Sequence, residues 1–202
     1  MKQLEGRVAA VTASTRGIGR ACAEALAAEG ALVYLAARSA ERAAPAIEAI
    51  ERAGGAARFV RYDAADEQSP AAMLEQITRE AGRLDLLVNN FGYTDVERDR
   101  DVASGDPQVF FEILRRNIAS VYLPVRAALP LLRVRGGSIV NISSVGGVLP
   151  DLSRLAYCVS KASINSLTQN LAVQLARDGI RCNAVLPGLT ATDAAAQNLS
   201  EE

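Results

Sequence analysis

The chain has 202 residues, half of them apolar and 22% charged, with a formal net charge of −1 and only 4% aromatic residues. That length fits one domain, residues 1–202, with apolar material for a sizeable core, and the scattered charges and scarce aromatics exclude a nucleic-acid-binding stripe. With no histidine, a Ser-His-Asp hydrolase and a His-based metal site are excluded, and the three dispersed cysteines (Cys22, Cys158 and Cys182) make a poor thiolate cage. Proton transfer must then fall to a carboxylate, a lysine or a tyrosine.

The cysteines read as buried free thiols rather than a disulfide framework. No segment approaches the roughly 18 apolar residues of a membrane span. The opening Met1-Lys2-Gln3-Leu4-Glu5-Gly6 lacks the apolar run of a signal peptide, so a cytoplasmic protein with no membrane partner is expected.

In chain order, residues 8–12 read as a buried strand and 20–29 as a helix ended by Gly30. Residues 31–36 are a second strand. Ser39 is the candidate N-cap of a helix reaching about residue 53, stopped by Gly54-Gly55. A third strand is expected at 57–62, a helix opening at Ser69-Pro70, and a fourth strand at 84–89. Asp106-Pro107 opens a long helix to about 132, with Pro124 bending it and Pro130 marking its last turn. Residues 138–142 form a fifth strand. A helix from about 153 to 177 ends at Gly179, and a sixth strand covers 180–186 before Pro187-Gly188. This alternation predicts an α/β fold, a doubly wound parallel sheet of order 3-2-1-4-5-6. A ligand should sit at the carboxyl ends of the strands, near the switch between strands one and four.

Strand one runs into Thr12-Ala13-Ser14-Thr15-Arg16-Gly17-Ile18-Gly19, where a helix begins. Glycines here let the backbone turn and approach a pyrophosphate, and the helix N-terminus offers free N–H groups. The usual third glycine of G-x-G-x-x-G is replaced by Cys22. At the end of strand two, Ala36-Ala37-Arg38 contains no acid to read a ribose 2′-hydroxyl. Arg38 and Arg16 instead offer forked cations suited to a 2′-phosphate, which favours NADP(H) over NAD.

Asn141-Ile142-Ser143-Ser144 ends strand five, Tyr157 follows Ser144 by thirteen residues, and Lys161 follows Tyr157 by four. Residues four apart share one helix face. An ammonium within about 4–6 Å lowers a phenol's pKa by roughly 1–3 units from about 10. Without histidine, this pair is the best acid–base candidate in the chain. Ser144 can hydrogen-bond a substrate carbonyl oxygen and steady developing charge.

Together, Thr12–Gly19, Asn89-Asn90-Phe91-Gly92, Asn117, Ser144, Tyr157-x-x-x-Lys161 and Pro187-Gly188 resemble the short-chain dehydrogenase/reductase family, from Gly6 to about Asp193. The phosphate loop resembles the family's T-G-x-x-x-G-x-G, with Ala13 in place of its first glycine. An ordinary backbone conformation is therefore expected at Ala13. Phe91 stands where the family's Asn-Asn-Ala-Gly has alanine, and would narrow the groove beside the cofactor. The resemblance implies a Rossmann fold and catalytic residues Asn117, Ser144, Tyr157 and Lys161. Tyr157 would exchange the hydroxyl proton, Lys161 would hold the nicotinamide ribose, Ser144 would orient the carbonyl and Asn117 would support a water relay to Lys161. Cofactor contacts would come from Thr12, Ser14, Thr15, Arg16, Gly17, Ile18, Gly19, Arg38, Asp63, Ala64, Asn90, Gly92, Tyr157, Lys161, Thr190 and Thr192, with Asp63 and Ala64 flanking adenine and Thr192 meeting the carboxamide. No metal is implied.

Residues 32–39, 120–124, 156–161 and 181–188 are similar to bacterial 7-alpha-hydroxysteroid dehydrogenases. This points to a steroid or bile-acid substrate, with reduction of another bulky carbonyl, such as a 3-oxoacyl thioester, as the alternative. The family continues past the point where this chain stops, so a seventh strand and much of the substrate lid are expected to be missing. That makes a non-catalytic NADP-binding module a third reading. Strand six would be left as an exposed edge. The resemblance also implies a homodimer or homotetramer formed through the two long helices.

Overall fold

The computed structural model describes residues 2–192. Six strands alternate with five helices: β1 Val8–Thr12, α1 Gly17–Ala28, β2 Leu32–Ala37, α2 Ala40–Arg52, β3 Ala56–Arg61, α3 Ser69–Ala81, β4 Leu86–Asn89, α4 Pro107–Leu132, β5 Gly137–Ile142, α5 Leu155–Leu175 and β6 Ile180–Val185. The strands form one sheet in the order β3-β2-β1-β4-β5-β6, with every pairing parallel. This is the expected doubly wound sheet. Among the described residues β3 and β6 are its edges.

All five residues of β1 are buried, because helices cover both faces of the sheet. Successive side chains point to opposite faces. Val8 and Ala10 therefore join a cluster with Leu87, Ile139 and residues of α3, α4 and α5, including Met73, Ile77, Val121, Leu132, Ile164 and Leu171. Ala9 and Val11 join Val33, Leu35 and residues of α1 and α2, among them Ala23, Ala27, Ala43 and Ile50. Alanines on this second side let the helices lie close to the sheet.

Several boundaries differ from expectation. α1 starts at Gly17 rather than Arg20, so the loop glycines form its first turn. β4 loses Leu84 and Asp85 from its start, where the Asp85 carboxylate instead receives Arg83, Arg7 and the Val8 amide. Ser39 holds the N-cap position of α2 in extended backbone but makes no capping bond through its side chain. α5 begins at Leu155 because Ser153 and Arg154 are tied back to Asp151. α4 is capped by the Asp106 carboxylate, which accepts the Gln108 amide at 2.8 Å. The helix runs through Pro124 and carries Pro130 in its last turn. No helix among the described residues is long and apolar enough to cross a membrane. Residues 199–202, expected to open the substrate-covering segment, lie outside the described residues.

The register sets the site. Thr12 pairs with Ala36, Val11 with Val88, and Asn89 with Asn141. The carboxyl ends of β1, β2, β4 and β5 are thus level, and the segments leaving them open onto one rim.

Candidate active site

At that rim the phosphate loop is braced from β4. The buried Thr12 hydroxyl accepts the Asn90 amide at 2.9 Å, and Asn90 Nδ2 donates to the carbonyls of Thr12 and Ala13, each at 3.1 Å. Ala13 does not take the ordinary conformation expected of it: its φ is +52°. The left-handed turn aims the Ala13 carbonyl at Asn90, and a Cβ in that region costs roughly 1–2 kcal/mol. Gly17 also has positive φ. Gly19 has no room for a side chain, because a Cβ there would meet Asn90 Nδ2 and lie 2.6 Å from the Ala13 carbonyl oxygen. Thr192 folds over this loop, its methyl 3.4 Å from where a Cβ on Gly17 would stand. Thr15 and Ile18 are half-buried.

Two observations test whether these residues fit a dinucleotide. The Ser14 hydroxyl is buried in the loop with no hydrogen-bond partner among the described residues, a group that a bound acceptor would satisfy. α1 begins within the loop without an acidic residue in its first turn and without a side-chain cap, leaving its N–H groups for an anion. Both fit a pyrophosphate. Arg16, at the N-cap of α1, and Arg38, just past β2, are exposed and form no ion pair among the described residues. Asp63 and Ala64 are half-buried just past β3, where the Asp63 carboxylate receives the Ala65 amide.

The second half of the site lies across the groove on β5 and α5. Tyr157 is half-buried, and the Lys161 ammonium stands 5.6 Å from its ring centroid. Lys161 is 3% exposed and donates to the Ile142 carbonyl at 3.0 Å. Burial pulls its pKa down from 10.5 to about 8. Gly92 supplies the space beside it: a Cβ there would lie 3.4 Å from the ammonium. Ser144 caps a short 3-10 turn, Val145–Gly147, by accepting the Gly146 amide at 3.1 Å. A Cβ on Gly146 would be 3.5 Å from Ser144 Oγ and 3.7 Å from Tyr157 Cε1, so hydroxyl and phenol ring flank one point. Gly147 docks this turn on α5, since a Cβ there would lie 2.8 Å from the Lys161 carbonyl carbon.

Asn117 is buried on α4. Its side chain accepts the Tyr93 amide at 2.7 Å and donates to the Tyr93 carbonyl and to Ser160 Oγ, at 2.9 and 2.8 Å. Thr190 is exposed, its hydroxyl donating to Gly188. Sequence reasoning missed Asp99. This carboxylate is 3% exposed and accepts the amides of Ala156 and Tyr157, each at 2.9 Å. The cluster Asp95, Asp99, Asp101 and Asp106 was the available signal, because aspartate is a preferred helix and turn cap.

A nucleotide-type loop facing a Ser-Tyr-Lys constellation meets its counterpart in known proteins. The profile of the family described as short chain dehydrogenase matches residues 7–202. The chain belongs to this family. It is 59% identical to the 7alpha-hydroxysteroid dehydrogenase of Clostridium sardiniense, over its whole length and 78% of that protein. It is 45% identical to the protein of the same name from Paraclostridium sordellii, over its whole length and 76% of that protein. Among solved structures, NAD+-bound xylitol dehydrogenase superposes with a TM-score of 0.85 at 30% identity, covering 93% of this chain and 72% of that one. As a short-chain dehydrogenase the chain is an oxidoreductase. Its 3-2-1-4-5-6 parallel order is the Rossmann-like arrangement of short-chain dehydrogenase structures.

Proposed function

We propose that this protein transfers a hydride between NADP(H) and a secondary alcohol or ketone, with a 7α-hydroxysteroid as its substrate. The observation that carries this reading is the convergence of Ser144, the Tyr157 ring and the buried Lys161 ammonium beside a loop built for pyrophosphate. The nicotinamide supplies the hydride chemistry when bound. The remaining work falls to the chain's own residues. Tyr157 Oη gives a proton to the carbonyl oxygen in reduction and takes it back in oxidation. The Lys161 ammonium lies beside the ring that carries this oxygen. Ser144 Oγ already accepts the Gly146 amide, so its own proton is the group left to point at the substrate oxygen. Asn117 holds the loop after β4 against α5.

The substrate reading rests on chemistry around that point as well as on the relatives. Val148, Leu149 and Leu152 are exposed between Ser144 and Tyr157, and Leu189 is exposed just past Pro187, which accepts the Val145 amide. An apolar rim of this kind suits a rigid hydrocarbon skeleton. Arg16 and Arg38 support NADP(H), since both guanidinium groups are exposed, one at the start of α1 and one just past β2, with no ion pair among the described residues. Exposed Phe111 and Tyr122 on α4 and Val173 on α5 support a homodimer through these helices. The test is a rate panel with NADP+ and NAD+. The reading predicts oxidation of 7α-hydroxysteroids with NADP+ preferred, and reversal of that preference by Arg38→Asp. Reduction of 3-oxoacyl thioesters without any steroid oxidation would sink the substrate assignment. An unchanged cofactor preference in Arg38→Asp would sink the role of β2.

A further inference from the structure

Resting on the catalytic reading of Tyr157, we infer that Asp99 is a positioning residue for that tyrosine. The loop from β4 to α4 grips the Tyr157 peptide unit from both sides. On one side, both Asp99 oxygens are used, one on the Ala156 amide and one on the Tyr157 amide, each at 2.9 Å. On the other, the Tyr157 carbonyl accepts Ser160 Oγ at 2.7 Å, and that hydroxyl in turn accepts Asn117 Nδ2 at 2.8 Å. Asn117 is locked to Tyr93 in the same loop by a reciprocal pair of bonds at 2.7 and 2.9 Å. The loop is therefore fastened to α5 at two points, and Tyr157 lies between them.

Asp151 ties back Ser153 and Arg154, but no local side chain caps the first amides of α5. Arg154 occupies the N-cap position with φ −60° and ψ 58° and makes no side-chain capping bond, and the first turn contains no acid. The first N–H groups of a helix have no partner within it, and an anion there is favoured by their aligned dipoles. Asp99 supplies both the acceptors and the charge from 57 residues away. Its own placement is fixed by the loop, since its amide donates to the Asp95 carbonyl at 2.8 Å and Asp101 ties the following turn by accepting the amides of Ala103 and Ser104. Two hydrogen bonds to one carboxylate hold the amides of this first turn, and so set where the phenol lies relative to Ser144 and Lys161. Small displacements of a reacting group lower turnover more than binding.

Asp99→Asn tests this, because the isosteric amide has one oxygen to offer two N–H groups and turns a donor toward the second. Asp99→Ser, which keeps a single acceptor, replaces it if the asparagine variant does not fold. We expect kcat for alcohol oxidation to fall 10- to 100-fold, KM to change less than threefold, and NADPH affinity, read by nucleotide fluorescence without turnover, to stay within twofold. Amide hydrogen exchange at Ala156 and Tyr157 should accelerate at least tenfold. An unchanged kcat, or a kcat loss matched by an equal loss of NADPH affinity, would overturn the assignment. Should the wild-type protein bind NADPH and turn over no alcohol, the catalytic reading fails by itself. Hydrogen exchange then decides the role of Asp99: faster exchange at those two amides supports it, and unchanged exchange overturns it.

Discussion

Ala13 and Lys161 each carry a local penalty that the site makes use of. Ala13 sits at φ +52° so that its carbonyl can meet Asn90 Nδ2, a conformation that glycine takes freely. Ala13→Gly is therefore expected to raise unfolding stability by about 1 kcal/mol in a denaturant titration, with nucleotide affinity retained. Lys161 is buried, and its pKa is lowered to about 8. Below that pH the ammonium is charged in folded and unfolded chains alike, and its burial costs about 3 kcal/mol. Between about pH 8 and the ordinary value of 10.5 the unfolded chain binds the proton that the folded chain has released, so stability from this group rises with pH across that window. Lys161→Met should then unfold at higher denaturant than wild type at pH 7, by about 1–2 kcal/mol after allowing for the lost bond to Ile142. The difference should shrink as pH rises through the window, while turnover is lost at every pH. A variant no more stable than wild type at pH 7 would contradict the account.

At the scale of elements, the site depends on how closely the segment after β5 approaches α5. Gly147 lies against the backbone of Lys161 and Ala162, where a Cβ would be 2.8 and 3.0 Å from main-chain atoms. Main chain cannot swing aside as a flexible side chain would, so Gly147→Ala must push Ser144 and α5 apart. The expected cost is about 1–3 kcal/mol of stability. Steady-state rates should show a lower kcat with little change in nucleotide binding, because the phosphate loop stands on β1 and α1. Equal losses of both would place the damage elsewhere. This scale also explains what could be read from the sequence. Tyr157 and Lys161 were legible because a four-residue spacing on one helix needs no tertiary knowledge, and the Thr12–Gly19 loop because it follows a buried strand directly. Asp99 was not, because its contact with α5 exists only after chain segments 58 residues apart are packed. The left-handed Ala13 escaped for the same reason: Asn90, 77 residues later, imposes it. Helix α1 began earlier than expected because Gly17 and Gly19 discourage a helix as residues, while the loop brace makes them its first turn.

For the whole molecule, strand order and register explain why the pieces meet. Parallel pairing of β1 with β2 and β4, and of β4 with β5, aligns four carboxyl ends. Under the proposed function, nucleotide binding falls to the segments leaving β1 and β2, proton transfer to β5 and α5, and the brace between them to the segment after β4. The order 3-2-1-4-5-6 followed from the alternating pattern of strands and helices, since crossovers between parallel strands leave few alternatives. The division of labour across the groove makes a separable prediction, because removing the phenol oxygen should leave the nucleotide side intact. The most direct measurement is the rate of change in reduced-nicotinamide absorbance with a 7α-hydroxysteroid and NADP+, comparing wild type with Tyr157→Phe at matched nucleotide occupancy. Loss of general acid–base help on the order of 100-fold or more in kcat, with nucleotide affinity retained, is the predicted result. Undiminished turnover by Tyr157→Phe would contradict the assignment of the proton to Tyr157.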